Sequence, residues 1–121
     1  ELGIGIDGVR AISGTYTAQA FIITDLDDNQ ITAFHPGAMN ESHRTRVDEI
    51  ADIGLGIIAP DGKAGMQQHA AQFAELGIPF LFDPGQGLTL FSGPELAALI
   101  DLADVPAGLD HFLALPGELP Q

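Results

Sequence analysis

The chain has 121 residues, 45% of them hydrophobic, a length and composition that suit one core and exclude a disordered tail. Seventeen acids against four bases give a formal charge of −13, a surface that repels phosphate backbones and anionic lipid, so nucleic acid and membrane surfaces are not expected partners. Cysteine is absent, which removes disulfide scaffolds, zinc–thiolate sites, iron–sulfur clusters and a thiol nucleophile together.

No apolar run approaches the ~18 residues of a membrane span, and the opening Glu1 to Asp7 lacks the basic and long apolar regions of a secretory signal. It also lacks an initiator Met, so a piece of something longer is expected, with the cytoplasm as its compartment. High Asp content beside a single lysine, Lys63, suits either a salty cytoplasm or an acidic protein of an ordinary cell.

The run Thr15 to Asp25 is rich in β-branched and aromatic residues and reads as a strand. Asp27-Asp28-Asn29 is turn chemistry, short side chains that bond their own backbone, and Gln30 to His35 reads as the returning strand of an antiparallel hairpin. Pro36-Gly37 stops it. Glu41 to Ile50 reads as a short, exposed helix. Leu55 to Ala59, bounded by Gly and Pro, reads as a strand buried on both faces. Asp61 is placed to cap a helix on which Met66, Ala70, Phe73, Ala74 and Gly77 recur at helical spacing, with Gly77 as its terminator. Ile78 to Asp83 reads as a second buried strand, and Pro94 opens a third helix through Ala103. Alternation of strands and helices makes βαβ units, hence an α/β fold: a mainly parallel, Rossmann-like sheet with flanking helices, preceded by the hairpin. The stretch 105–121 holds three prolines and breaks the rhythm, so the whole is read as one partial α/β domain with a divergent tail.

Two segments fall where open α/β sheets bind ligands, beyond the carboxyl ends of strands: Ala59 to Lys63, and Asp83-Pro84-Gly85-Gln86-Gly87. Ordinary βα turns account for both as well. There is no Walker loop, no Gly-x-Ser-x-Gly elbow and no His-x-x-x-His pair; Gly3 to Gly8 mimics a dinucleotide fingerprint without a strand before it. His69 reads as a partly buried packing residue, His35 as either a pocket residue or a polar group on a solvent face, and Asp25, Asp27 and Asp28 as a solvated hairpin tip. The residues alone assemble no complete catalytic constellation.

The succession Gly14 to Ala20, Asp25 to Thr32, Phe34-His35-Pro36-Gly37-Ala38-Met39-Asn40, Ala59-Pro60-Asp61-Gly62 and Phe82 to Leu88 resembles the middle of a ribokinase-like (PfkB-type) sugar or nucleoside kinase, nearest the bacterial adenosine-kinase-like or carbohydrate-kinase-like branch. It covers about residues 1–104, in both order and spacing. The resemblance implies ATP- and magnesium-dependent phosphorylation of a hydroxymethyl group on a sugar or nucleoside held between an α/β core and a small β lid. It carries over Gln19, Ala33, His35 and Asp83 as substrate-pocket residues. The family's Gly-Ala-Gly-Asp motif, which holds the catalytic base and anion hole, its Asn-x-x-Glu motif and its N-terminal Gly-Gly segment are all missing. The expectation is therefore a central kinase fragment that phosphorylates nothing unaided and binds neither ATP nor magnesium strongly. The tail after Asp104 fits a divergence, a frameshifted end or a truncation.

The alternative is a non-catalytic α/β module for assembly or small-ligand binding. Exposed strand edges and an apolar face would then be covered by self-association, making a homo-oligomer. A small hydrolase ranks last, for want of a nucleophile–base pair.

Overall fold

The computed structural model describes residues 3–103 and 105–106. Strands β1 (Gln19–Thr24) and β2 (Gln30–His35) pair antiparallel, with Gln19 opposite His35 and Thr24 opposite Gln30. Asp28 sits at φ 61, a left-handed value that short polar side chains tolerate. Asp25 organises the turn: Oδ1 accepts the Asp27 and Asn29 N–H groups at 2.8 and 3.0 Å. The ladder begins four residues after the predicted start, since Tyr16 is diverted: its carbonyl accepts the Ala38 N–H at 2.8 Å. A Cβ on Gly37 would run into that same carbonyl, so glycine is required for the close approach.

The second sheet has order β3 (Gly56–Ile58), β4 (Phe80–Phe82), β5 (Val105–Pro106), all parallel. Helix α1 (Lys63–Leu76) links β3 to β4, and α2 (Gly93–Leu102) links β4 to β5. The two helices touch each other and cover one face of this sheet. On that face Ile58, Phe80 and Phe82 meet Met66, Ala70 and Phe73 of α1 and Leu99 of α2, with Val47 closing the cluster. The Phe73 and Phe80 rings stack at 5.6 Å. The α/β class and the leading hairpin are thus as expected. The tail beyond Pro106 lies outside the described residues.

Four local expectations change. Glu41 to Ile50 is not one helix but two 3-10 segments, Gly37–Arg44 and Val47–Glu49, separated by an extended Thr45 at φ −91, ψ 130. Side chains of α1 take the bonds a helix would have made there: Gln68 Nε2 donates to the His43 carbonyl, His69 Nε2 to the Thr45 carbonyl, and Gln72 Oε1 accepts the Val47 N–H, at 2.8, 2.8 and 2.9 Å. His69 is accordingly half-buried, as predicted, and holds a backbone carbonyl. Strand β3 is buried on one face only: Ile57 is 67% exposed between buried neighbours, because the described residues supply no layer on that side. The N-cap of α1 is Gly62, and Asp61 Oδ1 bonds that residue's N–H at 2.7 Å rather than a first-turn donor. Ala74 and Gly77 lie on the exposed side of α1, although Gly77 does end it, at φ 65, with Ile78 N–H reaching back to the Phe73 carbonyl at 2.9 Å.

Candidate functional site

Directly paired residues of an antiparallel ladder share a face. The register therefore places Gln19 and His35 side by side, with Phe21 beside Ala33 and Ile23 beside Ile31 on the same surface. Three of the four predicted pocket residues, Gln19, Ala33 and His35, are brought together. The face grades from two hydrogen-bonding side chains at the hairpin's base to an apolar strip toward its tip. Phe21, Ile23 and Ile31 were not named from sequence, yet counting in twos from Gln19 and across the turn finds them. Every residue of both strands is exposed.

Asp83 stands apart from these three, in the other sheet. Its N–H donates to the Ile58 carbonyl at 2.9 Å, continuing the β3–β4 ladder one residue past the strand. Its Oδ1 accepts the Gly85 N–H at 3.0 Å, which folds the loop back over the strand end. Gly85 has φ +44 and lies so close to Pro60 that a Cβ there would stand 2.6 Å from the proline ring. The two βα loops singled out from sequence, 59–63 and 83–87, thus form one surface at the carboxyl ends of β3 and β4.

Behind that surface the starts of α1 and α2 are tied together. Lys63 Nζ lies 2.8 Å from Glu95 Oε1, and Gln67 Nε2 donates to the same carboxylate at 3.4 Å. Glu95 Oε2 also accepts the Ser92 N–H and hydroxyl at 2.8 and 2.9 Å, the glutamate arm of a capping box. Lys63 and then Ser92 hold the Glu95 carboxyl down at about 2, from an ordinary 4.5. The ammonium lies 5.5 Å from the centre of the Phe91 ring. Ser92-x-x-Glu95 ahead of an apolar run is a capping signal readable in the sequence itself.

The other three cations are paired too: Arg10 with Glu49, Arg44 with Glu41 and Arg46 with Asp48. All four basic side chains of the chain are therefore engaged by carboxylates. Among the described residues, no three His, Asp or Glu side chains converge as a metal site. No described helix is long and apolar enough to cross a membrane.

No protein-family model matches the chain. A nucleoside kinase of Methanothermobacter thermautotrophicus is 31% identical over 112 residues, covering 90% of this chain and 36% of that protein. The Burkholderia thailandensis nucleoside kinase in complex with inosine superposes with a TM-score of 0.79 at 56% identity, covering 84% of this chain and 34% of that one; the same enzyme has also been solved with ADP-inosine. A Methanocaldococcus jannaschii nucleoside kinase, described as an archaeal member of the ribokinase family, superposes with a TM-score of 0.66 at 27% identity, over 75% of this chain and 30% of that one. The chain spans about a third of the length of these relatives. By sequence and by structure it is a homologue of ribokinase-family nucleoside kinases over that segment.

Proposed function

We propose that this ribokinase-family segment is the part of an ATP-dependent nucleoside kinase that receives the nucleoside, and that it transfers no phosphate by itself. The observation carrying this reading is the 56% identity over 84% of the chain to a kinase solved with inosine. The nucleoside lies against the hairpin face of Gln19, Ala33 and His35. Its base finds apolar surface on Phe21 and Ile23, while the Gln19 amide and His35 ring supply donors and acceptors. Asp83 borders the site from the carboxyl end of β4.

The reaction moves the γ-phosphoryl group of ATP to a hydroxymethyl oxygen: a new O–P bond forms, the bond to the β,γ-bridging oxygen breaks, and ADP leaves. Such transfers depend on positioning and on neutralising phosphate charge. Every cation in this chain is already paired, and the Gly-Ala-Gly-Asp and Asn-x-x-Glu motifs lie elsewhere in the family pattern. The base, the anion hole and the magnesium site are thus assigned to parts outside this sequence. The working protein is cytoplasmic, with neither nucleic acid nor membrane as a partner.

The test is substitution of this chain for its matching segment in the Burkholderia kinase. The chimera is expected to phosphorylate inosine, while the isolated chain with ATP, magnesium and inosine yields no inosine monophosphate. Turnover by the isolated chain, or an inert but folded chimera, overturns the reading.

A second reading, a non-catalytic assembly module of a single partial α/β domain, draws on the exposed apolar hairpin, where Phe21, Ile22, Ile23, Ile31 and Phe34 all face solvent. Two copies covering these side chains would make a homodimer. Sedimentation velocity of the isolated chain decides: a monomer at all concentrations removes it.

A further inference from the structure

One face of α1 is given over to the stretch that follows the hairpin. Gly62, Gly65, His69 and Gln72 recur every three or four residues, which lines them up along the helix. His69 and Gln72, with Gln68, hold the backbone of 43–47 by hydrogen bonds. The two glycines hold the stretch before it by contact, and both are buried. A Cβ on Gly62 would stand 2.7 Å from the Met39 carbonyl oxygen; one on Gly65 would run into the Ser42 hydroxyl and stand 3.0 Å from the Ser42 Cβ. That hydroxyl is itself buried and, among the described residues, has no hydrogen-bond partner. A buried hydroxyl without a partner is costly to keep, so Ser42 is held by its fit against Gly65 and not by a bond. Glycine is likewise a poor helix former, and only its missing side chain recommends it at position 65.

The same contact locates the hairpin. The 3-10 segment Gly37–Arg44 begins just after β2 ends, and its Ala38 N–H donates to the Tyr16 carbonyl at 2.8 Å, so both roots of the hairpin are fastened to it. On the other side, Gly65 lies in the first turn of α1, directly after the 59–63 loop, whose Pro60 rests against Gly85 beside Asp83. A continuous run of contacts thus joins the Gln19, Ala33 and His35 face to Asp83, and it passes through the seat of Ser42 on Gly65. We propose that Gly65 and Ser42 are positioning residues: their contact sets how far the nucleoside face stands from the Asp83 loop, and neither touches the nucleoside. The consequence for catalysis rests on the functional reading above, while the spacing itself can be measured without it.

The chain has no cysteine, so Asp27→Cys at the hairpin turn and Glu75→Cys near the end of α1, both exposed positions, accept a single pair of spin labels. Gly65→Ala is expected to shift the distance between the labels by about 1–2 Å or more. Adding Ser42→Gly, which removes both atoms in the way, is expected to restore it. An unchanged distance in folded Gly65→Ala protein overturns the proposal, as does a shift that Ser42→Gly does not reverse. If Gly65→Ala does not fold, Ser42→Thr, which adds one methyl group to the same seat, gives the distance in its place. In the Burkholderia chimera, Gly65→Ala should lower kcat/KM for inosine about tenfold to a hundredfold with KM for ATP unchanged within about twofold, and the double variant should recover most of the loss. Phe73→Leu, in the core toward the other end of α1, is the control for lost stability: at a matched drop in melting temperature it should leave kcat/KM near that of the parent chimera. Equal losses from the two variants would reduce Gly65 to a folding role and end the proposal. A distance that shifts and is restored, beside a chimera that never phosphorylates inosine, keeps the spacer and defeats the functional proposal instead.

Discussion

The hairpin and the α/β unit are built from the same kinds of residue and end in opposite environments. Phe21 on β1 is 60% exposed, whereas Phe82 on β4 is 0% exposed. Both strands form for local reasons, β-branched and aromatic runs closed by turn residues. Only β4 has helices to lie against. A two-stranded ribbon buries too little to be stable alone, so β1 and β2 hold their shape through ladder bonds and the Asp25 turn, and keep their apolar side chains available. Strand formation and strand burial are separate events, and an exposed apolar surface arises where the first occurs without the second.

The largest test of this contrast is a pair of truncations. Phe82→Ala opens a cavity in the cluster shared by β4, α1 and α2 and should cost about 3–5 kcal/mol in chemical denaturation. Phe21→Ala should change stability by less than about 0.5 kcal/mol, as exposed substitutions do. Under the functional proposal it should weaken inosine binding by the chimera instead. Equal losses at the two sites would mean that the hairpin is packed in solution and would erase the distinction.

A middle case lies between the two regions, in the segment 43–47 that α1 holds by its side chains. Gln72 is the buried polar residue among the core, and it accepts the N–H of Val47, itself 5% exposed. Gln72→Ala would leave that donor without its acceptor, at about 1–3 kcal/mol. Denaturation gives the cost; faster exchange of the Val47 amide identifies its source.

This segment also marks where sequence reading fails. The hairpin, the Gly77 stop and the start of α2 near Pro94 depend on residues within a few positions of one another, and each appears close to where it was read. The break at Thr45 depends on Gln68, His69 and Gln72, which lie more than twenty positions away. No pattern within Glu41 to Ile50 records them. The exposure of Ile57 is similar: a short apolar run between Gly and Pro describes a strand, not its place in a sheet, and an edge is defined by what lies beyond it. Within the candidate site, the shared face of Gln19, Ala33 and His35 was recoverable because period two and one turn fix it. Asp83's place at the end of a strand of the parallel sheet, apart from the hairpin, was legible too, from the alternation of strands and helices.

The smallest predicted effect compares two carboxylates, one in each region. Asp25, in the hairpin, is lowered from its ordinary value first by the Asn29 side chain, then by the Asn29 and Asp27 backbone. All these partners are within four residues, so the unfolded chain can re-form part of the cluster. Glu95 is lowered to about 2, first by Lys63, which lies on the other helix and is separated on unfolding. A carboxyl whose folded value lies below its unfolded value stabilises the fold above the unfolded one, here near 4.5, and loses that contribution as pH falls toward about 2. Glu95→Gln should therefore lower the melting temperature near neutral pH, and the gap from wild type should close across that acid range. Lys63→Met should show the same closing gap, because the pair titrates through Glu95. Asp25→Asn should shift stability less and with a weaker pH dependence. If the Asp25 variant instead carried the larger acid dependence, the local turn would be contributing more to the folded state than the link between the two helices.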